Sequence, residues 1–145
     1  MAYRKKGMPK RILFLCTGNS CRSQMAEGWL RELGGESFQA FSAGIEAHGK
    51  NPRAIAVMQE VGVDISSQAS EMLDVTLLDS LDLLVSVCAH ADAHCPVIPV
   101  SCKKEHWPFD DPAKVIGSEE EIMAEFRRVR DQIKARIALY LSTGQ

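Results

Sequence analysis

The stretch from Arg11 to Glu27 constrains this chain more than any other: Arg-Ile-Leu-Phe-Leu-Cys-Thr-Gly-Asn-Ser-Cys-Arg-Ser-Gln-Met-Ala-Glu. Ile12 to Leu15 form a short, uninterrupted apolar run, the pattern of a parallel strand covered on both faces. Four small, turn-forming residues then break it: Thr17, Gly18, Asn19 and Ser20, with Gly18 able to take dihedrals closed to residues with a Cβ. From Ser23 onward, Gln24, Met25, Ala26, Glu27, Trp29 and Leu30 read as a helix. The loop therefore runs from a strand end to a helix N-terminus. There, unpaired amide N–H groups and the helix dipole stabilise a tetrahedral oxyanion, and Arg22 adds a planar charged fork. The same field favours the thiolate form of Cys16, a nucleophile facing the bound anion, and Ser23 can donate to its sulfur. Cys-x5-Arg alone is weak, occurring by chance in roughly a third of chains with this usage. Strand, loop and helix in the right order are what give it weight.

The rest of the chain reads as one α/β unit. Gly34-Gly35 ends the first helix, and Ser37 to Ser42 offers a second strand. Pro52 opens a helix running to about Val61, closed by Gly62. Between them, His48 in a Gly-rich loop reads as a surface or packing residue. Val63 to Leu78 has no clear period and should be irregular with one short helix. Leu83 to Val87 is a third strand ending at Cys88, which would bring Cys88 to the same sheet edge as Cys16. Val97 to Val100 is the candidate fourth, as an edge strand despite Pro96 and Pro99. Lys103 to Ala113 reads as a Pro-rich loop. Ser118 and Glu121 form a capping box for a last helix with Ile122, Phe126, Val129, Ile133, Ile137 and Tyr140 on one face and a solvated basic face opposite. The alternation predicts a single α/β domain over residues 11–145, with a central parallel sheet of about four strands flanked by helices, preceded by a mobile basic tail over residues 1–10.

A net charge of −2 gives no global case for nucleic acid or an anionic membrane as partner. No run approaches membrane-spanning or signal-peptide length, so a cytoplasmic location is expected. Five cysteines, Cys16, Cys21, Cys88, Cys95 and Cys102, in a reducing compartment point to reactive thiols rather than structural disulfides. Cys88 and Cys95 bracket a segment that would continue as helix, which would hold their Cα atoms roughly 10 Å apart, beyond the reach of about 7 Å for a disulfide. They can bond only if that helix unwinds. Inert buried thiols, or a zinc site with His90 and His94, are competing readings. Asp111, held extended before Pro112, could protonate a leaving oxygen, with Asp110 as the neighbour most easily mistaken for it.

The run from Cys16 to Trp29 closely resembles the thioredoxin-coupled arsenate reductases, which share fold and anion loop with low-molecular-weight protein tyrosine phosphatases. The resemblance extends from about Arg11 to Gly144. It implies a phosphatase-like fold, arsenate held by Thr17, Gly18, Asn19, Ser20, Cys21, Arg22 and Ser23, attack by Cys16, and Asp111 as acid. It further implies a relay through a Cys16–Cys88 and then a Cys88–Cys95 disulfide, recycled by thioredoxin, with a monomer expected and no cofactor required. A potassium ion beside the loop is allowed for, with Asn19, Glu27 and Ser42 matching its ligands and Glu71 standing where the family has Asp. Cys102 falls outside the relay. The alternatives are a tyrosine phosphatase using the same Cys16, Arg22 and Asp111, or a non-catalytic arsenite-binding or redox-sensing thiol protein. Ala113 and Lys114 stand where those phosphatases carry an aromatic pair.

Overall fold

A computed structural model describes residues 7–144. Residues 1–6, most of the expected basic tail, lie outside the described residues, and Lys10 already belongs to the first strand. Four strands, β1 (Lys10–Cys16), β2 (Phe38–Gly44), β3 (Leu83–Ser86) and β4 (Lys103–His106), form one sheet in the order β2-β1-β3-β4. Every pairing is parallel. Parallel neighbours need crossover connections, and helices supply most of these: α1 (Arg22–Gly34), α2 (Pro52–Glu60) and the short α3 (Ala89–Ala93), with α4 (Glu119–Thr143) following the last strand.

β1 lies inside the sheet, which explains its unbroken apolar run: Ile12, Leu13, Phe14 and Leu15 are all buried. Its register with β2 places Cys16 opposite Gly44, at the carboxyl ends of both strands. A Cβ on Gly44 would meet the backbone oxygen of Glu46 at 2.1 Å and Asn19 N at 2.8 Å. Glycine there lets the chain after β2 run directly against the loop after β1.

The fourth strand is not where the apolar pattern suggested. Residues 96–100 have no regular structure, and Val97 and Val100 are fully exposed, while the strand is the polar Lys103–His106. Pro96 and Pro99 have no N–H to give a ladder. Lys103–His106 can pair because an edge strand needs backbone partners more than an apolar face, and buried Cys102 and Trp107 anchor its ends. The irregular stretch before β3 contains one short helix, as expected, and it is of the 3-10 type, Val75–Ser80.

The long helix begins at the capping box of Ser118 and Glu121 and buries Phe126, Val129, Ile133, Ile137 and Tyr140, as its period predicts. Its basic face is not merely solvated. Arg130 is buried, and its Nη1 donates to Val57 O at 2.9 Å and Glu60 Oε1 at 3.0 Å, tying α4 to α2. Arg127 also pairs with Glu60, and Arg136 lies 4.0 Å over the Trp107 ring. Arg128 pairs with Asp110 at 2.9 Å, turning that carboxylate toward α4.

Candidate active site

A cleft of about 610 Å³ opens at the carboxyl end of β1, lined among others by Cys16, Thr17, Arg22, Cys88, His90 and Asp111. The chain between Cys16 and Arg22 forms its floor. The carbonyls of this loop are tied by the segment after β2: Cys16 O accepts from Ile45 N at 3.0 Å, Thr17 O from Glu46 N at 2.8 Å, Gly18 O from His48 N at 2.9 Å and Ser20 O from Asn51 N at 2.8 Å. Peptide planes whose carbonyls are held on one side aim their N–H groups to the other, which makes a concave nest for an anion. α1 starts at Arg22 and adds the positive end of its dipole.

The left-handed residue of the loop is Asn19, with φ 48, and not Gly18. Asparagine tolerates that region better than other side chains. Gly18 is needed for closeness: a Cβ on it would sit 2.3 Å from His48 Nδ1. His48, bonded through Nε2 to Glu46 at 2.9 Å, therefore packs on the loop while lining the cleft. No residue pattern announces the 45–51 segment as the loop's support, since it acts through backbone N–H groups.

Cys16 Sγ lies 2.8 Å from Ser23 Oγ, which also donates to Asn19 Oδ1 at 2.9 Å. A hydroxyl has one proton, so a thiol at Cys16 donates to Ser23 and a thiolate receives Ser23's proton instead. Burial, and then the Asp111 carboxylate, push the Cys21 thiol far up, which keeps it protonated and inert at neutral pH. Its position is structural, as the residue before α1.

Arg22 Nη1 donates to Phe109 O at 2.9 Å, and its Nη2 stands 3.5 Å from Asp111 Oδ2. The other Asp111 oxygen accepts from Ala113 N at 3.0 Å, so the Asp-Pro turn both shapes the loop and presents the carboxylate to the cleft. Asp110, 75 % exposed and held by Arg128, is excluded from it.

Cys88 is the residue before α3, and its sulfur accepts from Ala91 N at 3.4 Å. It reaches the anion loop through Thr17, whose Oγ1 is 3.3 Å away. All five cysteines are free thiols. Cys95 follows the end of α3, and burial pushes its thiol up against the opposing pull of Lys104. Cys102 is buried and pushed up to about 11 by desolvation and Asp82. The zinc reading gains no third ligand: His94 Nδ1 bonds His90 O, and among the described residues no group of three or more His, Cys, Asp or Glu could hold a metal.

Beside the loop, the carbonyls of Ser42, Ala69 and Glu71 converge on the side-chain amide of Asn19 at 3.4–3.5 Å. Ser42 Oγ donates to Glu27 Oε1 at 2.5 Å. Burial raises the Glu27 carboxyl above its ordinary value near 4.5, and the charge of Glu71 adds to this. Glu71 brings its carbonyl to the cluster while its side chain is exposed. The three carbonyls meet at an amide N–H donor, so a cation held among these oxygens would take the place of that donor, with the Asn19 side chain turned.

Residues 11–143 match the family model described as low molecular weight phosphotyrosine protein phosphatase. The chain is 53% identical over 136 residues to an arsenate reductase of Bacillus subtilis (strain 168), covering 94% of this chain and 98% of that one. It is 55% identical over 128 residues to arsenate reductase 2 of Staphylococcus epidermidis, covering 88% and 93%. A solved arsenate reductase in the phosphate binding state superposes with a TM-score of 0.74 at 36% identity, covering 92% of this chain and 97% of that one.

Proposed function

The chain belongs to the low molecular weight phosphotyrosine protein phosphatase family, and from that premise we propose that it reduces arsenate to arsenite by thiol chemistry begun at Cys16. The observation that carries the reading is the second thiol: Cys88, joined through Thr17 to the loop that begins at Cys16, in one cleft with it. A phosphatase has no use for that thiol.

Arsenate binds in the nest with its oxygens on the loop N–H groups and Arg22, which exchanges its contact with Asp111 for the anion. Cys16 Sγ attacks arsenic and forms an S–As bond, while one As–O bond breaks and its oxygen leaves as water with a proton from Asp111. Cys88 then attacks Cys16 Sγ. The S–As bond breaks with its electron pair on arsenic, so arsenic(V) becomes arsenic(III) and a Cys16–Cys88 disulfide remains. Cys95 attacks Cys88, restores the Cys16 thiolate, and leaves a Cys88–Cys95 disulfide for a dithiol reductant of the thioredoxin type. Opening α3 serves this last exchange, since it frees the segment that joins Cys88 to Cys95 and exposes Cys95, relieving the burial that holds its proton.

A potassium ion, where bound, would be held by the carbonyls of Ser42, Ala69 and Glu71 with Asn19, Glu27 and Ser42, and would brace the loop from behind. Glu27 gives it a thermal signature. A carboxyl whose folded pKa is raised loses stability as pH climbs from its unfolded value near 4.5 through its folded value, and the loss is complete above the folded value. Glu27→Gln should therefore raise the melting temperature at pH 7 in sodium buffer. Potassium should raise that of wild type and leave Glu27→Gln unmoved. An equal response in both would remove Glu27 from the site.

The function is tested by arsenate-dependent NADPH oxidation with thioredoxin and its reductase, alongside aryl phosphate hydrolysis. Wild type should turn over arsenate, and Cys95→Ser should stop after a single arsenite. If wild type ignores arsenate and cleaves only the ester, the chain is a phosphatase. If wild type turns over neither substrate, the thiols act as a binding or sensing module.

A further inference from the structure

The relay above gives Cys88 an attack to make but no group to take its proton. In the anion-free cleft the Asp111 oxygens face Arg22 and the backbone of Ala113, not Cys88. Around Cys88 a different chain of groups is in place. Thr17 Oγ1 lies 3.3 Å from Cys88 Sγ and 3.1 Å from His90 Nδ1. His90 is fixed by α3 two residues after Cys88, and its ring stacks on that of His94, centroids 4.1 Å apart. His94 is itself pinned, its Nδ1 2.8 Å from His90 O.

One hydroxyl proton must serve both of Thr17's neighbours. With the His90 proton on Nε2, the free Nδ1 pair accepts from Thr17, whose oxygen is then left to accept from the Cys88 thiol. The direction of that chain is from sulfur to imidazole. We propose that His90 is a positioning residue for the second step of the reaction, taking the Cys88 proton through Thr17 as Cys88 attacks Cys16. The inference rests on the relay reading given above.

The step balances. The Cys88 S–H bond breaks and its proton passes to Thr17 Oγ1, while the Thr17 proton passes to His90 Nδ1. The pair left on Cys88 forms the bond to Cys16 Sγ, and the pair of the S–As bond departs with arsenic. His90 is exposed and returns its proton to water. The titratable and charged groups facing it are His94 at the C-terminal end of α3 and, around the cleft, Arg22, Glu46, His48, Asp111 and Lys114. Division of labour follows: Asp111 supplies a proton to oxygen in the first step, and His90 removes one from sulfur in the second.

The test is single-turnover arsenite release from the reduced protein, followed by rapid quench across pH, for wild type, His90→Ala and His90→Asn. His90→Ala should slow release by about 10²-fold, the low end of general-base contributions, with arsenate KM changed by less than about twofold. Its rate should climb with hydroxide over a range where wild type is level, and added imidazole should restore part of it. His90→Asn, able to accept from Thr17 but not to carry the proton, should stay slow. A His90→Ala rate equal to wild type at every pH overturns the proposal, as does full recovery in His90→Asn, which would leave only a hydrogen bond. Wild type releasing no arsenite at all would remove the relay and His90's part in it together, an outcome distinct from the other two.

Discussion

Cys16→Ser should abolish arsenate reduction and aryl phosphate hydrolysis together, each by more than about 10⁴-fold, since a serine hydroxyl is a far poorer nucleophile at neutral pH than a cysteine sulfur. The substitution is nearly isosteric at a residue 4% exposed, and Ser23 can bond the new hydroxyl as it bonds the thiol, so thermal unfolding should barely change. Cys88→Ser should behave differently. It removes the acceptor of the S–As intermediate and so stops arsenate turnover, but the ester reaction, which ends in hydrolysis at Cys16, should persist. Parallel assays of both variants on arsenate and an aryl phosphate decide the matter. Equal loss of both activities in Cys88→Ser would mean that Cys88 serves the loop's structure instead of carrying electrons.

Arg22→Ala should lower turnover of either substrate by about 10²–10³-fold, the effect of removing one preorganised donor from a developing charge, and should also weaken inhibition by phosphate. The loss has two sources. The guanidinium fork matches oxyanion geometry as no other side chain does, and its bonds to Phe109 O and Asp111 hold the acid-bearing loop over the cleft. Arg22→Lys separates them: it keeps the charge but not the fork, so phosphate affinity should recover further than turnover. Isothermal titration with phosphate beside steady-state rates reads both quantities. If Arg22→Ala retained full turnover, the nest would be an anion-binding device without a catalytic role.

Much of this arrangement is legible in the sequence because it is local. β1, the loop and α1 are contiguous, and a strand, a run of small residues and a helix start can be read off without knowing what packs on them. Asp111 and Cys88 are legible for a related reason, each sitting at a boundary that proline or helix capping marks. The failures are non-local. Val97 to Val100 looks like a strand by side-chain type, yet strand formation at a sheet edge is decided by which backbone can face β3, and prolines cannot. Arg130 looks solvated by periodicity, yet α2 brings it a carbonyl and a carboxylate. The 45–51 segment carries its information in main-chain N–H groups that every sequence possesses. His90 and His94 suggest metal by spacing, and only the approach of Thr17 gives one of them another partner.

The nest is lined by peptide groups whose orientation is fixed by backbone bonds to the next strand's exit. Such a receptor is assembled during folding, and neither its peptide groups nor the Arg22 fork can measure the difference between two tetrahedral anions of equal charge and similar size. Phosphate and arsenate should compete for it on nearly equal terms, and discrimination must come afterwards. A sulfur–phosphorus bond offers a second thiol no favourable two-electron exit, whereas a sulfur–arsenic bond does. If the proposed relay operates where phosphate is abundant, selectivity of this kind is kinetic: phosphate sets how often the cleft is free, and Cys88 sets which occupant is changed on leaving.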